Sequence, residues 1–260
     1  MEQTTKLTFL GTAADDFSPR LKTDCKDCFE LDARRASCIL VGEKYLIDCG
    51  MYVMESIRIA GVDTGKITDI FVTHLHTDHF VAEYAEQIAA GHEKPVRLWV
   101  RRDAQLPAME NVEVVYLPRH TEVEVEEGVS VVSMDANHDA KSFPQHFVFN
   151  IHGKKLLYAL DGGWLLNESY NFMRGLKVDM AVLDATCGDY LGEWRIGEHN
   201  TIPMIRVMVP SLKTVGVFND ETRIYLSHIA PTLHAPHAEI MESVANDGLL
   251  VAYDGLTVLL

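Results

Sequence analysis

Ile70-Phe71-Val72-Thr73-His74-Leu75-His76-Thr77-Asp78-His79 is the stretch that decides how this 260-residue chain is read. A β-branched and aromatic run stops abruptly at three imidazoles and a carboxylate packed into six residues. Such a run is a strand signal, and its end is where a strand delivers side chains to the edge of a sheet. Neutral imidazole and carboxylate suit zinc, manganese or iron, and the cluster has no thiolate that would select a softer ion. A bare H-x-H arises often among surface histidines. H-x-H-x-D-H closing an apolar strand is far more specific.

This motif resembles the signature of the metallo-β-lactamase superfamily, which implies that the first two histidines hold one metal and the Asp-His pair a second. The resemblance also implies further ligands downstream in a fixed order, and each place is filled. His138 follows Val129-Ser130-Val131-Val132-Ser133-Met134, Asp161 closes Lys155-Leu156-Leu157-Tyr158-Ala159-Leu160, and His228 closes Arg223-Ile224-Tyr225-Leu226-Ser227. Alone, each would read as a loop His, an Asp-Gly turn or a partly buried His; all share a position at a strand end. The implied ligand set is His74, His76 and His138 for one metal and Asp78, His79 and His228 for the other, with Asp161 bridging. Two cations roughly 3.5–4 Å apart can lower the pKa of a bridging water and neutralise developing charge on a phosphoryl or carbonyl oxygen. Hydrolysis by a metal-bridging hydroxide then needs no Ser or Cys nucleophile, and no G-x-S-x-G elbow is present.

Composition fits a metal-dependent hydrolase of α/β class. The chain is 47% hydrophobic, enough for a sizeable core. No linker, charge block, low-complexity tract or repeat interrupts it, so a single domain over 1–260 is expected. The N-terminus lacks the features of a signal peptide, and nowhere do eighteen apolar residues run together, so a cytoplasmic protein is expected. Five cysteines then suggest thiols rather than a disulfide framework. The net charge of −15 lacks the basic footprint of a nucleic-acid binder. Arg34-Arg35, Arg101-Arg102 and Arg119-His120 are the local basic candidates, the last two reading as solvated surface charge. The expected partner is a small anionic phosphodiester; nucleic acid and membrane are not expected, and a homodimer is admitted.

Strand and helix signals alternate along the chain. Residues 37–41 and 45–48 flank Gly42-Glu43-Lys44 in a hairpin pattern, and Gly153-Lys154 suggests a second hairpin. Further strands are expected near 7–10, 97–100, 113–117, 129–134, 145–151, 154–160, 179–184 and 249–253. Helical spacing over 51–60 and 80–91 is followed by Gly61 and Gly91 as stops, and helices are expected near 167–176, 201–213 and 236–247. Helices segregating on two packed sheets make a four-layer αββα sandwich, the metallo-β-lactamase fold.

Read over its whole length, the chain resembles a narrower branch. Phe9-Leu10-Gly11-Thr12, Tyr45-Leu46-Ile47-Asp48-Cys49-Gly50, Asn137-His138, Leu160-Asp161-Gly162, Val182-Leu183-Asp184, Glu198-His199-Asn200 and Leu226-Ser227-His228-Ile229 accompany the first motif in order. This is similar to the branch containing phosphoribosyl 1,2-cyclic phosphodiesterase and the transfer-RNA 3′-processing ribonucleases. The resemblance implies His199 as a general acid/base outside the ligand set, and it makes Asp78 and His199 the candidate catalytic residues. Asp48 and Asp184 would orient metal-bound imidazoles, which usually donate their other N–H to a carboxylate.

The chain departs from that branch at a separate structural zinc site. Thr23 stands where the first Cys of C-x-C-x-x-C belongs, leaving Cys25 and Cys28, and Pro231 stands at the distal His position. His234 or His237 would have to substitute, so a structural Zn2+ at Cys25 and Cys28 is not expected. Cys38, Cys49 and Cys187 read as small apolar residues. The expected cofactors are two divalent ions, Zn2+ or Mn2+. The expected activity is phosphodiester hydrolysis of a small nucleotide or sugar phosphate, cyclic ones included. A ribonuclease, a lactone or thioester hydrolase, and a non-hydrolytic metal or redox protein are the alternatives.

Overall fold

The computed structural model describes residues 4–15, 28–190 and 192–260, and all structural statements concern these. Fourteen strands form two seven-stranded sheets. The first contains β1 (Lys6–Gly11), β2 (Cys38–Val41), β3 (Tyr45–Ile47), β4 (Asp69–Phe71), β5 (Val96–Arg101), β6 (Val112–Leu117) and β14 (Thr257–Leu259), in the order β14-β1-β2-β3-β4-β5-β6. The second contains β7 (Glu122–Glu126), β8 (Val129–Asp135), β9 (Gln145–Ile151), β10 (Lys154–Ala159), β11 (Met180–Asp184), β12 (Arg223–Ser227) and β13 (Leu249–Val251), in the order β13-β12-β11-β10-β9-β8-β7.

Period-two alternation along the strands builds the layers. On β10, Leu156 and Tyr158 enter the core between the sheets, whereas Leu157 and Ala159 enter the core under the helices. Phe71 centres the inter-sheet layer: it stacks on Trp99 at 5.4 Å and meets Phe149 edge-on at 4.9 Å. The outer face of the first sheet packs against α1 (Val53–Ala60) and α2 (Ala82–Ala89) through Val53, Ile57, Ala85 and Ile88. The outer face of the second is covered by α3 (Asn167–Met173), α4 (Ile202–Thr214) and α5 (His237–Val244), which contribute Met173, Ile205, Leu212, Ile240 and Val244. These are the four layers of an αββα sandwich.

Both expected hairpins form. Gly42 at φ 63° turns β2 into β3, and His152 and Gly153, at φ 51° and 88°, turn β9 into β10. α1 ends at Gly61 in the left-handed region, as its sequence indicates, while α2 ends at Ala89, short of Gly91. β7 and β14 are additions to the sequence-based expectation. Each is an edge strand with one partner. Only Val125 of β7 is buried, so the hydrophobic signal is faint. No helix among the described residues is long and apolar enough to cross a membrane.

Two composition-based expectations need correction. Arg34 and Arg35 are 2% and 0% exposed, so they form no basic surface patch. Arg34 donates to Thr12 Oγ1 and the Ala252 carbonyl, and Arg35 to Glu55, so both guanidinium groups tie the chain together from inside. Cys28 is disulfide-bonded, so the expectation of thiols fails there; Cys38, Cys49 and Cys187 are free and buried. Burial pushes those three thiols up, which leaves them chemically quiet. Thr23 and Cys25 lie outside the described residues. His234 and His237 are engaged elsewhere, by the Ala185 carbonyl at 2.7 Å and by Arg34 at 2.9 Å.

Candidate metal centre

Strand direction assembles the site. β10, β11 and β12 are mutually parallel, and β8 is related to β10 through the antiparallel β9, so all four point their C-terminal ends at one rim. The loop after β4 reaches the same rim from the first sheet. His138, Asp161, Asp184 and His228 stand at or just past the ends of β8, β10, β11 and β12, and His74 to His79 follow β4. Three of the polar residues here, Asp48, Asp161 and His228, have φ of 65°, 54° and 56°. Asp and His are among the few non-Gly residues found in that region, and such strain collects at functional sites. Glycine matters where the loops touch: a Cβ on Gly50 would lie 1.8 Å from the Asp78 carbonyl oxygen.

All the residues marked in the sequence come together. Ligand atoms of His74, His76 and His138 form one group, and those of Asp78, His79, Asp161 and His228 a second, each spanning no more than 4.8 Å. His76 Nδ1 lies 3.0 Å from His74 Nε2 and 3.2 Å from His138 Nε2, and His79 Nε2 lies 3.1 Å from His228 Nε2. Asp161 reaches both groups. Its Oδ1 is 3.8 Å from His74 and from His138, while Oδ2 is 3.0 Å from His79 and 3.2 Å from His228.

The donors fit divalent metal. A zinc ion with bonds of about 2.0–2.1 Å holds nitrogen ligands roughly 3.3 Å apart, close to the spacings here. Asp161 Oδ2 is buried and makes no well-aligned hydrogen bond. Burial alone would raise the Asp161 carboxyl, but His228, His79 and His74 around it hold it well below the usual carboxylate range. Burial also opposes charge on His79 and His228, and the carboxylates, Asp161 first, outweigh it and push both upward, His228 to about 10. The surrounding carboxylates thus favour positive charge at this point, which a bound cation would supply. His74 and His138 are pushed down, chiefly by burial, and so keep lone pairs to offer.

A further layer of side chains orients these donors. Asp48, fully buried, places Oδ2 2.8 Å from His79 Nδ1, while its Oδ1 accepts from the backbone N–H and the hydroxyl of Thr73. Asp184 Oδ2 lies 2.9 Å from His199 Nδ1 and 3.3 Å from His228 Nδ1. Thr186 joins them, its hydroxyl 2.7 Å from His228 Nδ1 and 3.0 Å from Asp184 Oδ2. Asn200 donates its backbone N–H to Asp184 Oδ1 and its side-chain amide to the Gly162 carbonyl. Thr73, Thr186 and Asn200 went unnoticed in the sequence as positioning groups; Thr73 and Asn200 lay within quoted motifs, while Thr186 gave no signal. The centre opens into a cavity of about 550 Å3 lined also by Ala14, Leu75, Trp194, Arg195, Glu198 and His199.

Comparison with known proteins agrees with this architecture. The sequence profile of the family described as Anti-Pycsar protein Apyc1 matches residues 35–152. The chain is 38% identical over 77 residues to the human zinc phosphodiesterase ELAC protein 1, covering 28% of this chain and 18% of that protein. The chain thus spans less than a fifth of the length of that relative. A crystal structure of a diphosphatase from the PhnP family superposes with a TM-score of 0.71 at 20% identity, covering 100% of this chain and 98% of that one. The metallo-β-lactamase fold protein YhfI from Bacillus subtilis gives a TM-score of 0.74 at 11% identity over 98% of this chain and 99% of that one. The chain has the metallo-β-lactamase fold of these structures, and over part of its length its sequence resembles zinc phosphodiesterase and ribonuclease Z proteins.

Proposed function

We propose that this chain is a dinuclear metal phosphodiesterase acting on a small nucleotide or sugar phosphate. The observation that carries the proposal is the Asp161 carboxylate, whose two oxygens divide between two groups of imidazole donors. His74, His76 and His138 would hold one cation, Asp78, His79 and His228 the other, and Asp161 would touch both; Zn2+ and Mn2+ suit these donors. Bound there, divalent ions would make a water more acidic and offset charge on the phosphoryl oxygens.

The chain's own groups supply the remainder. Asp78 lines the cavity beside His228, where it can accept a hydrogen bond from an attacking water. His199 faces the same cavity with Nδ1 tied to Asp184, which leaves Nε2 to carry a proton to the leaving alkoxide. Its pKa is raised: burial opposes the charge, and Asp184 more than compensates.

A ribonuclease activity is the second candidate, because relatives that the sequence matches in part bear the name ribonuclease Z. Against it stand the net charge of −15 and the burial of Arg34 and Arg35. Arg101 and Arg119 are both paired with Asp135. The deciding experiment reconstitutes the protein with Zn2+ or Mn2+ and assays small cyclic and linear phosphodiesters, precursor transfer RNA, lactones and thioesters side by side. Turnover of the small phosphodiesters well above the others supports the proposal. Preferential cleavage of the transfer RNA, or hydrolysis of lactones or thioesters alone, overturns it.

A further inference from the structure

Trp194 is 81% exposed, the most exposed large hydrophobic side chain among the described residues, and it stands in the wall of the metal-site cavity. Leaving an indole in water forgoes the favourable burial that an aromatic ring of this size normally finds, so an exposed one in the wall of a cavity offers a ligand a large flat face to cover. The backbone that carries the ring is hydrogen-bonded in place. Trp194 begins the short helical turn Trp194–Gly197, whose Arg195 carbonyl accepts the backbone N–H groups of both Glu198 and His199 at 2.9 Å. Trp194 is therefore one turn from His199, the proposed proton donor. Arg195 lies against the indole, its guanidinium carbon 5.7 Å from the ring centroid, and is steadied by Glu193 at 2.8 Å. Ala14 and Leu75 also line the cavity, and its 550 Å3 falls within the range of about 300–1,000 Å3 usual for small-molecule sites.

We propose that Trp194 is a stacking shelf for the nucleobase of a small nucleotide whose phosphodiester lies among the His and Asp donors. This rests on the phosphodiesterase function proposed above and assigns to Trp194 a preference for the nucleotide over the sugar phosphate. Indole and guanidinium both offer flat faces to a base, and such stacking tolerates any base because each has a π-face. The acidic chain and the confined cavity point to a mononucleotide rather than a polynucleotide.

The test compares 2′,3′- and 3′,5′-cyclic nucleotides with the corresponding cyclic phosphates of 1-O-methylribose, which keep the phosphodiester and lack the base. In the wild-type enzyme the nucleotide should have the higher kcat/KM. Trp194→Ala should lower the ratio of nucleotide to base-free kcat/KM by roughly 5- to 100-fold, through KM, and Trp194→Phe should restore most of it. Independently, a nucleoside 5′-monophosphate should quench the fluorescence of chelator-treated wild-type protein, ribose 5-phosphate should not, and Trp194→Phe should abolish the response. An unmoved ratio, or equal losses on both substrates, overturns the shelf while leaving the phosphodiesterase function standing. Turnover of neither substrate by the wild-type enzyme overturns both.

Discussion

Asp184 and His199 form a buried pair, with Oδ2 of the carboxylate 2.9 Å from Nδ1 of the imidazole. The same carboxylate accepts the Asn200 and Asp161 backbone N–H groups and the Thr186 hydroxyl, so it is anchored from three loops before it touches the histidine. A histidine held this way has one rotamer and one tautomer, and its other nitrogen is committed to the cavity. The ring is fixed in place rather than free to wander, as the proposed proton transfer requires.

His199→Ala should therefore leave metal content unchanged and slow a phosphodiester with a poor alkoxide leaving group by on the order of 10²–10⁴. A nitrophenolate ester should lose much less, because its leaving group hardly needs a proton. Steady-state kinetics on the two esters, with elemental analysis of the variant, checks this. Equal losses would assign His199 to shaping the cavity and loss of metal would assign it to holding the ion; either outcome refutes the proton-donor role.

Asp161→Ala should reduce bound metal from the proposed two ions per chain to one or fewer and take turnover to background. Circular dichroism should still report a folded chain, since Asp161 belongs to the rim and not to the packed apolar layers. A variant retaining two ions and full activity would show that the shared carboxylate has been wrongly placed.

Asp48→Asn removes the acceptor 2.8 Å from His79 Nδ1 and offers an amide donor or a weaker acceptor instead. Orienting carboxylates of this kind are typically worth 10–100-fold in metal affinity. Competition against a chelating dye should show a loss of that size, with kcat largely recovered at saturating metal. Unchanged affinity would mean that Thr73 alone fixes the ring.

Chelation should lower the melting temperature of the purified protein. A cation bound only by the folded state, at a free concentration a hundred times its Kd, stabilises by about 2.7 kcal/mol. For a chain of this size that is a shift of roughly 5–10 °C. Calorimetry with and without chelator, followed by Zn2+ or Mn2+ readdition, checks both the loss and its recovery. An identical melt in all three conditions would argue that the donors do not hold metal in the folded state.

Much of the site was legible because its chemistry is local. His74, His76, Asp78 and His79 stand out directly after an apolar strand, and the family resemblance of that motif then marked His138, Asp161 and His228 at later strand ends, with Asp48 and Asp184 beside them. The layered fold was legible for a similar reason: period-two and helical spacing are short-range patterns that one chain segment displays by itself. β7 and β14 were not, because an edge strand buries too little to leave such a pattern.

What the sequence by itself determined, then, is which side chains are candidate donors and that each sits where a strand stops. Only the tertiary structure decided how they meet. Parallel alignment of β10, β11 and β12 puts residues far apart in the chain on one rim, and the left-handed backbone at Asp48, Asp161 and His228 belongs to turns whose shape depends on neighbouring loops. The same holds for Arg34 and Arg35, whose charges look like surface in the sequence and are interior in the fold, and for Trp194, whose exposure beside the cavity no local pattern records. Burial and proximity are sums over distant segments, and a sequence lists its residues without those sums.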